Sequence, residues 1–178
     1  MQKLLRISRA IDRLNRWIGQ FTYGLILIMV IVGVWNVIAT NLGRFFGQSL
    51  TSNAFLEIQW YLFAIVFLLG APYTLLQNGH VRVDIFYKDW SKRRKAWVNF
   101  LGTLLFLIPF SILTIYFSWK TVLNSWKILE MSPDPSGLPR YPIKSMIIVC
   151  FVLLILQGIS EAIKNWLILQ ERDRRIEE

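Results

Sequence analysis

Residues 57–87 read EIQWYLFAIVFLLGAPYTLLQNGHVRVDIFY, and they contain an uncharged run of 22 residues at 58–79. A helix rises about 1.5 Å per residue, so this run would be about 33 Å long, enough to cross the roughly 30 Å hydrocarbon core of a bilayer. One acid, Glu57, precedes the run, and alternating polar and apolar residues at 80–84 (HVRVD) follow it. The stretch therefore predicts a membrane-spanning helix with an acid at its start and a charged motif after its end.

The other long uncharged runs occupy residues 17–43, 96–119 and 145–160. The last of these has 16 residues, about 24 Å of helix, and it spans the bilayer only if Lys144, Glu161 and Lys164 extend toward the two interfaces. A mean hydropathy of +0.44 and 54% hydrophobic residues are typical of a small membrane protein. We predict an all-α membrane protein with a single membrane domain over residues 1–178. Its four transmembrane helices are expected at about 17–42, 55–78, 96–119 and 143–164.

The composition excludes several classes of function. The chain has one cysteine, Cys150, and one histidine, His80, which excludes an internal disulfide and a haem held by two histidines of this chain. No phosphate-binding loop, zinc motif or nucleophile–base pair occurs in the sequence, so we predict no catalytic residue, no metal site, no cofactor and no enzymatic activity. The net charge of +9 lies between the apolar runs, where membrane topology explains it, and we predict no nucleic-acid partner.

Lysine and arginine are distributed unevenly among the segments that flank the runs. Fifteen of the 20 lie in residues 1–16, 80–95 and 164–178, and five lie in the two linkers 44–57 and 120–144. Cytoplasmic segments of membrane proteins carry the excess of these residues. The distribution therefore predicts that both termini and the middle linker are cytoplasmic (N-in/C-in).

The residues before the first run have their own pattern. Apolar side chains recur at spacings of three or four from Leu4 to Ile18, while four arginines fall on another face. This pattern predicts an N-terminal amphipathic helix that lies in the interface of an anionic leaflet. Basic residues and a tryptophan beside the runs are expected to contact membrane lipids. These expected anchors are Arg6, Arg9, Arg13, Arg16, Trp17, Lys92, Arg93, Arg94 and Lys95.

Glu57, Gln59 and Trp60 are candidate interface residues at the start of the second run. An acid deep in the bilayer is usually functional, but a carboxylate at the first turn of a helix is stabilised by the helix dipole and can lie at the interface. We therefore favour a structural or helix-pairing role for Glu57 over a role as an ion-coupling acid. Gln59 and Trp60 suit hydrogen bonds across helices and interfacial contacts.

Asn78, His80, Arg82 and Asp84 follow the second run. Asn-Gly at 78–79 is a turn signal that predicts the end of the helix. His80 has no second histidine and no nearby cysteine with which to bind a metal, and Arg82 could form a salt bridge with Asp84. A structural corner or subunit contact is the favoured role of these residues.

Two further features concern contacts rather than chemistry. The linker 130–142 (EMSPDPSGLPRYP) has four prolines and a glycine, which excludes a continuous helix. It serves either as a stiff surface for a partner or as a plain connector. Asn36 in the first run and Gln157 in the fourth are expected to hydrogen-bond between helices.

Several motifs together resemble the small, DctQ-type membrane subunit of tripartite ATP-independent periplasmic (TRAP) transporters. Their order and spacing carry the resemblance, which covers roughly residues 15–165. In the second run and directly beside it they are 57–61 (EIQWY), 67–71 (FLLGA) and 78–84 (NGHVRVD). Later in the chain they are 97–108 (WVNFLGTLLFLI), 137–139 (GLP), 142–144 (PIK) and 156–158 (LQG).

This resemblance implies a scaffold subunit of a secondary transporter in the bacterial inner (cytoplasmic) membrane. The transporter would import an organic-acid-type solute with sodium coupling. The partners implied are a large TRAP membrane subunit, which would form a heterodimer with this chain and hold the substrate and sodium sites, and a periplasmic substrate-binding protein. Two alternatives remain open: a small homodimeric antiporter with Glu57 as its coupling acid, and an inert membrane anchor of another complex.

Overall fold

Four long helices form this protein, and the computed structural model describes them over residues 2–48, 50–79, 87 and 89–174, with side chains to residue 170. Each helix is long and apolar enough to cross a membrane, and no described residue belongs to a strand longer than one isolated bridge. The prediction of an all-helical chain with four such helices is therefore confirmed. The helices are α1 (Gln2–Phe46), α2 (Asn53–Leu76), a third span made of α3 (Lys92–Gly102), a π-helical turn (Thr103–Leu107) and α4 (Ile108–Lys127), and finally α5 (Tyr141–Arg174).

The predicted N-terminal helix is the first part of α1 rather than a separate element. With 45 residues, α1 is about 68 Å long, roughly twice the thickness of the hydrocarbon core. Its arginine-bearing turns therefore extend well beyond the uncharged run 17–43. The side chains buried along these turns are Ser8 and Asn15, whereas Leu4 and Ile7 are exposed.

The helix ends and the π-helical turn have local causes. After α2, Asn78 adopts a left-handed conformation with φ of 55°, and the amides of Asn78 and Gly79 donate to the carbonyls of Leu75 and Thr74, which is a Schellman motif. In the third span, Pro109 cannot donate to the carbonyl four residues earlier, and its ring crowds that turn. The π-helical turn Thr103–Leu107 ends two residues before this proline, as expected where a proline disturbs the hydrogen-bond ladder.

The last helix holds the others together. Helices α1, α2 and α5 pack against one another, whereas the third span packs mainly on α5. Glycines permit the closest approaches: a Cβ on Gly19 would lie 2.2 Å from the Tyr73 ring, and one on Gly158 would lie 3.1 Å from Leu107. Most large apolar side chains point outward, which suits a chain whose solvent is lipid.

The antiparallel order of the helices creates two ends. We call the end that contains residues 47–53 and 128–140 the loop end. The opposite end, with the start of α1 and the second half of α5, is the terminal end. Polar contacts between helices are concentrated at these two ends.

Candidate functional site at the loop end and the terminal end

The loop 128–140 is a closed hairpin that begins directly at the end of α4. Leu129 has a φ of 47°, and the amides of Leu129 and Glu130 donate to the carbonyls of Trp126 and Ser125, again a Schellman motif. The two arms of the hairpin then pair through the Arg140 amide, which donates to the Glu130 carbonyl at 2.8 Å. A left-handed leucine is strained, so the surrounding contacts must hold this conformation in place.

The tip of this hairpin is a tight turn. The Gly137 amide donates to the Asp134 carbonyl at 3.0 Å, with Pro135 second in the turn and Ser136 third at a φ of 59°. Proline followed by a positive φ is the pattern of a type II turn. A Cβ on Gly137 would lie 2.4 Å from the Ser132 Cβ, so only glycine fits there without moving the opposite arm.

Glu57 fastens this hairpin to α2. Its side chain is only 3% exposed. The Ser132 hydroxyl donates to one carboxylate oxygen and the Leu138 amide donates to the other. Nearby, the Tyr61 hydroxyl donates to the Pro139 carbonyl at 3.3 Å. The carboxylate therefore supplies the hydrogen-bond acceptors for the Ser132 hydroxyl and the Leu138 amide, which would otherwise be unpaired.

Glu130 fastens the base of the hairpin to the helices on either side. The Lys144 ammonium of α5 and the Ser125 hydroxyl of α4 both donate to Glu130 Oε2. These two contacts, the lysine first, hold the pKa of the Glu130 carboxyl below its ordinary value of about 4.5. The loop is thus fixed at its base and near its tip by two different acids.

A second group of polar contacts joins α1 to α5 at the terminal end. Asn15 Nδ2 donates to Gln157 Oε1 at 2.7 Å, and the Ser8 and Ser160 hydroxyls lie 2.7 Å apart. Gln157 also donates to Asp12 at 3.2 Å. Gln157, Ser8, Asn15 and Ser160 are all almost fully buried. The expectation that Gln157 hydrogen-bonds between helices is confirmed.

Charged side chains complete this terminal-end group. Lys164 Nζ lies 2.8 Å from Asp12 Oδ2 and 2.8 Å from Glu161 Oε1, so one lysine pairs with two acids. Asn15 Oδ1 is the one buried side-chain oxygen or nitrogen without a hydrogen-bond partner in the part of the chain that the structure describes. The group fixes the register of α1 on α5, because each polar side chain needs its own partner.

The candidate interface residues lie in different places. Glu57 is buried under the hairpin, Gln59 lies against Gly33 of α1, and Trp60 is 66% exposed. Asn78 occupies the left-handed position after α2. The structure therefore brings Glu57 and Gln59 to the loop end and leaves Asn78 at the terminal end. The remaining three, His80, Arg82 and Asp84, lie outside the described residues.

The expected lipid anchors form two sets at the terminal end. Arg6, Arg9, Arg13, Arg16 and Trp17 are exposed along the first turns of α1. At the start of α3, Lys92, Arg93 and Arg94 are exposed and Lys95 is half-buried. The Arg94 guanidinium lies 5.6 Å from the Trp90 ring centre, and the Lys95 ammonium lies 5.1 Å from that of Tyr87.

Sequence reasoning missed the polar side chains Ser8, Asp12 and Asn15. They recur at spacings of four and three, which is the period of one helix face, but they fall between the arginines that dominate the segment. Their counterparts Ser160 and Lys164 have the same spacing in α5. Matching these two polar stripes would have revealed the contact.

The two groups of contacts are suited to holding elements in place. Among the described residues, no three His, Cys, Asp or Glu side chains are close enough to bind a metal ion. The middle part of each membrane-spanning segment has no ionisable Asp, Glu, Lys, Arg or His. These parts are residues 17–43, 58–79, 96–119 and 145–160.

Comparison with known proteins assigns the chain to a family. The family model for the DctQ component of the tripartite ATP-independent periplasmic transporters matches residues 29–167. No curated protein and no solved structure matches the chain. The matched residues include α2, the third span, the fastened hairpin and most of α5. The chain therefore belongs to the DctQ-component family of tripartite ATP-independent periplasmic transporters, as the small membrane component of such a transporter.

Proposed function

We propose that this chain is the scaffold subunit of a TRAP-type secondary transporter in the bacterial inner membrane. It packs on the large transport subunit, which imports an organic-acid-type solute with sodium, and its loop end helps dock the periplasmic substrate-binding protein. Both termini are cytoplasmic in this proposal, so the hairpin 128–140 faces the periplasm. Family membership and the charge distribution support it.

The way in which Glu57 is bound is the observation that carries this proposal. A coupling acid must exchange protons or ions with water during transport. Glu57 is 3% exposed, and both of its carboxylate oxygens accept hydrogen bonds from the hairpin. This arrangement favours a structural role and gives no support to a self-sufficient antiporter.

The fastened hairpin supports the docking role. A loop that is fixed by Glu57 and Glu130 keeps its exposed tip at Asp134, Pro135 and Ser136 in one conformation. A preformed surface loses little conformational entropy when a partner binds. We propose that the binding protein contacts this tip.

The other candidate residues have supporting roles in this proposal. Gln59 and Trp60 contact the large subunit, and Asn78, His80, Arg82 and Asp84 form the structural corner after α2. The first turns of α1 lie at the cytoplasmic interface, where anionic headgroups attract arginine and lysine by about 1 kcal/mol each. The lipid-contacting residues are Arg6, Arg9, Arg13, Arg16, Trp17, Lys92, Arg93, Arg94 and Lys95.

Uptake measurements test the scaffold role. The large subunit and the binding protein are produced with and without this chain, at equal levels of large subunit by immunoblot, and sodium-driven solute uptake is measured. We expect uptake only when the chain is present. Full uptake without it would overturn the proposal.

The docking role has a separate test. Asp134→Lys changes an exposed charge at the tip and removes no hydrogen bond of the described hairpin. We expect it to raise severalfold the concentration of binding protein needed for half-maximal uptake while the maximal rate is kept. An unchanged concentration would contradict docking at this tip without affecting the scaffold role.

A further inference from the structure

An open groove between α1 and α2 near the loop end differs from the rest of the apolar surface. It has a volume of about 590 Å³. Val34, Val37 and Leu56 supply apolar walls, and Gly33, Asn36 and Gln59 line it as well. The groove therefore combines an apolar surface with two side-chain amides.

Neither amide has a hydrogen-bond partner within the described residues. The Gln59 side chain lies over Gly33, where a Cβ would be 2.5 Å from Gln59 Nε2. Asn36 is seven residues before Gly43 in α1, and Gln59 is six residues after Asn53 in α2. Helix α1 continues to Phe46, so at about 1.5 Å per residue Asn36 lies about 15 Å and Gln59 about 9 Å inside the ends of their helices. Asn36 is within the uncharged run 17–43, and Gln59 is two residues after the buried Glu57.

Lipid tails are unsuited to cover these amides. Burying an amide without a hydrogen bond costs about 2–7 kcal/mol, and hydrocarbon chains offer neither donors nor acceptors. In membrane proteins such side chains pair with polar groups on a neighbouring helix. The groove therefore needs an occupant that carries its own donors and acceptors at this depth.

The surface beside the groove has the shape that receives a helix. Leu56, Trp60, Phe63 and Phe67 follow one another at helical spacing along α2, and the last three are each at least 60% exposed. The Phe63 and Phe67 rings stack with centres 6.3 Å apart. This ridge lies next to the groove because Leu56 belongs to both, and helices pack by placing ridges into grooves.

From these observations we infer that the α1–α2 groove receives a transmembrane helix of the large membrane subunit, whose Ser, Thr, Asn or Gln side chains pair with Asn36 and Gln59. This inference rests on the proposed function, which supplies the partner, and it adds the face and the chemistry of the contact. The third span, on the far side of α5, is left toward lipid.

Site-specific photocrosslinking in the assembled complex tests the face. A benzophenone amino acid is placed at Val37 or Phe63 beside the groove, or at Phe106 or Phe117 of the third span as controls, all of which are exposed. The complex is co-produced with the large subunit, illuminated in membranes and analysed by mass. We expect crosslinks to the large subunit from Val37 and Phe63 and none from the two controls.

Failure of the inference can be told apart from failure of the proposed function. Crosslinks to a second copy of this chain, or to lipid alone, from Val37 and Phe63 would overturn the inference, as would crosslinks to the large subunit from the third span only. In those three cases the two subunits still co-purify and the proposed function stands. If the wild-type subunits do not co-purify at all, the proposed function and the inference fail together.

A matched pair of variants tests the chemistry. The double variant Asn36→Leu with Gln59→Leu keeps approximate size but removes both amides, and we expect about tenfold less large subunit to be recovered with it. The control is Asn124→Leu, which removes an exposed amide from α4 at the same end. Equal recovery with the double variant and the wild type would show that the amides do not pair with the partner.

Discussion

The Glu57 carboxylate joins α2 to the hairpin 128–140 through Ser132 and Leu138, which are 75 and 81 residues later in the sequence. At the scale of the residue, this one side chain holds the hairpin in place: it accepts one hydrogen bond from a side chain and one from the main chain of the hairpin. A glutamine in its place would keep one acceptor and would turn an amide toward a donor. Such a mismatch leaves a buried polar group unpaired.

Glu57→Gln is therefore expected to loosen the hairpin 128–140. Limited proteolysis in detergent, with the cleavage sites read by mass spectrometry, should show severalfold faster cutting between residues 128 and 140. The matched control is Asp134→Asn, the same change of acid to amide at an exposed position of the loop. Equal cutting rates in Glu57→Gln and the wild type would mean that the carboxylate does not hold the loop.

Glu130 gives the base of the hairpin a dependence on pH. Its pKa is lowered in the folded protein by Lys144 and Ser125, so its contribution to stability is present above the unfolded-state pKa of about 4.5 and is lost as the pH falls through the lower folded-state pKa. We expect the protection factors of the backbone amides at 129–140, that is, their exchange rates relative to the intrinsic rates at each pH, to fall on acidification below about pH 4.5.

The variant Glu130→Gln provides the control for this acid transition. It has no titrating group at the position, so its protection factors should already be lowered at neutral pH. Its acid transition should be smaller than that of the wild type, and the remainder belongs to Glu57, whose carboxylate also accepts hydrogen bonds from the hairpin. An acid transition of the same size in Glu130→Gln would assign the effect to another group.

At the scale of the element, Gly19 permits one of the close contacts between α1 and α2. A Cβ on Gly19 would lie 2.2 to 2.6 Å from the base of the Tyr73 side chain, which cannot move without shifting α2. We expect Gly19→Ala to destabilise the protein by about 1–3 kcal/mol, the usual cost of overpacking, measured as a lower midpoint of thermal unfolding in detergent.

Gly24 is the matched position for this test. It lies five residues later in α1, and nothing stands within 4 Å of a Cβ placed there. Gly24→Ala should stabilise the helix by up to about 1 kcal/mol, because glycine is a poor helix former. Equal shifts of the unfolding midpoint in the two variants would show that the close approach of Tyr73 to Gly19 does not determine the stability of this contact.

The elements themselves could be predicted because each span is an uncharged run bounded by charged residues. That the N-terminal segment and the first span form one continuous helix could not be predicted. A basic amphipathic pattern fits both a separate interfacial helix and the start of a longer helix. The partners of Glu57 were also beyond prediction. A serine and a main-chain amide in a proline-rich linker carry no signal that pairs them with an acid more than 70 residues away.

At the scale of the whole molecule, the two ends carry different charge. The predicted orientation places residues 1–16 in the cytoplasm and the hairpin in the periplasm, because cytoplasmic segments carry the excess of lysine and arginine. We expect Ser136→Cys to react with a membrane-impermeant maleimide in spheroplasts, whose outer membrane has been removed and whose inner membrane is intact. We expect Lys3→Cys to react only after the inner membrane is permeabilised.

The native cysteine does not disturb this experiment. Cys150 is 2% exposed and lies within α5, so the unmodified chain gives a low background. Reaction of Lys3→Cys in intact spheroplasts, with protection of Ser136→Cys, would reverse the proposed orientation.

The packing of the third span mainly on α5 has a consequence for how the protein is made. A ribosome delivers the spans in order, so α1 and α2 can pair as soon as both are inserted, whereas the third span lacks its main intramolecular neighbour until α5 follows. During that interval its unpaired face is open to insertion chaperones and to membrane proteases. Synthesis halted before α5 should therefore yield fragments that are rapidly degraded, and the cell can clear incomplete chains before they reach a transporter.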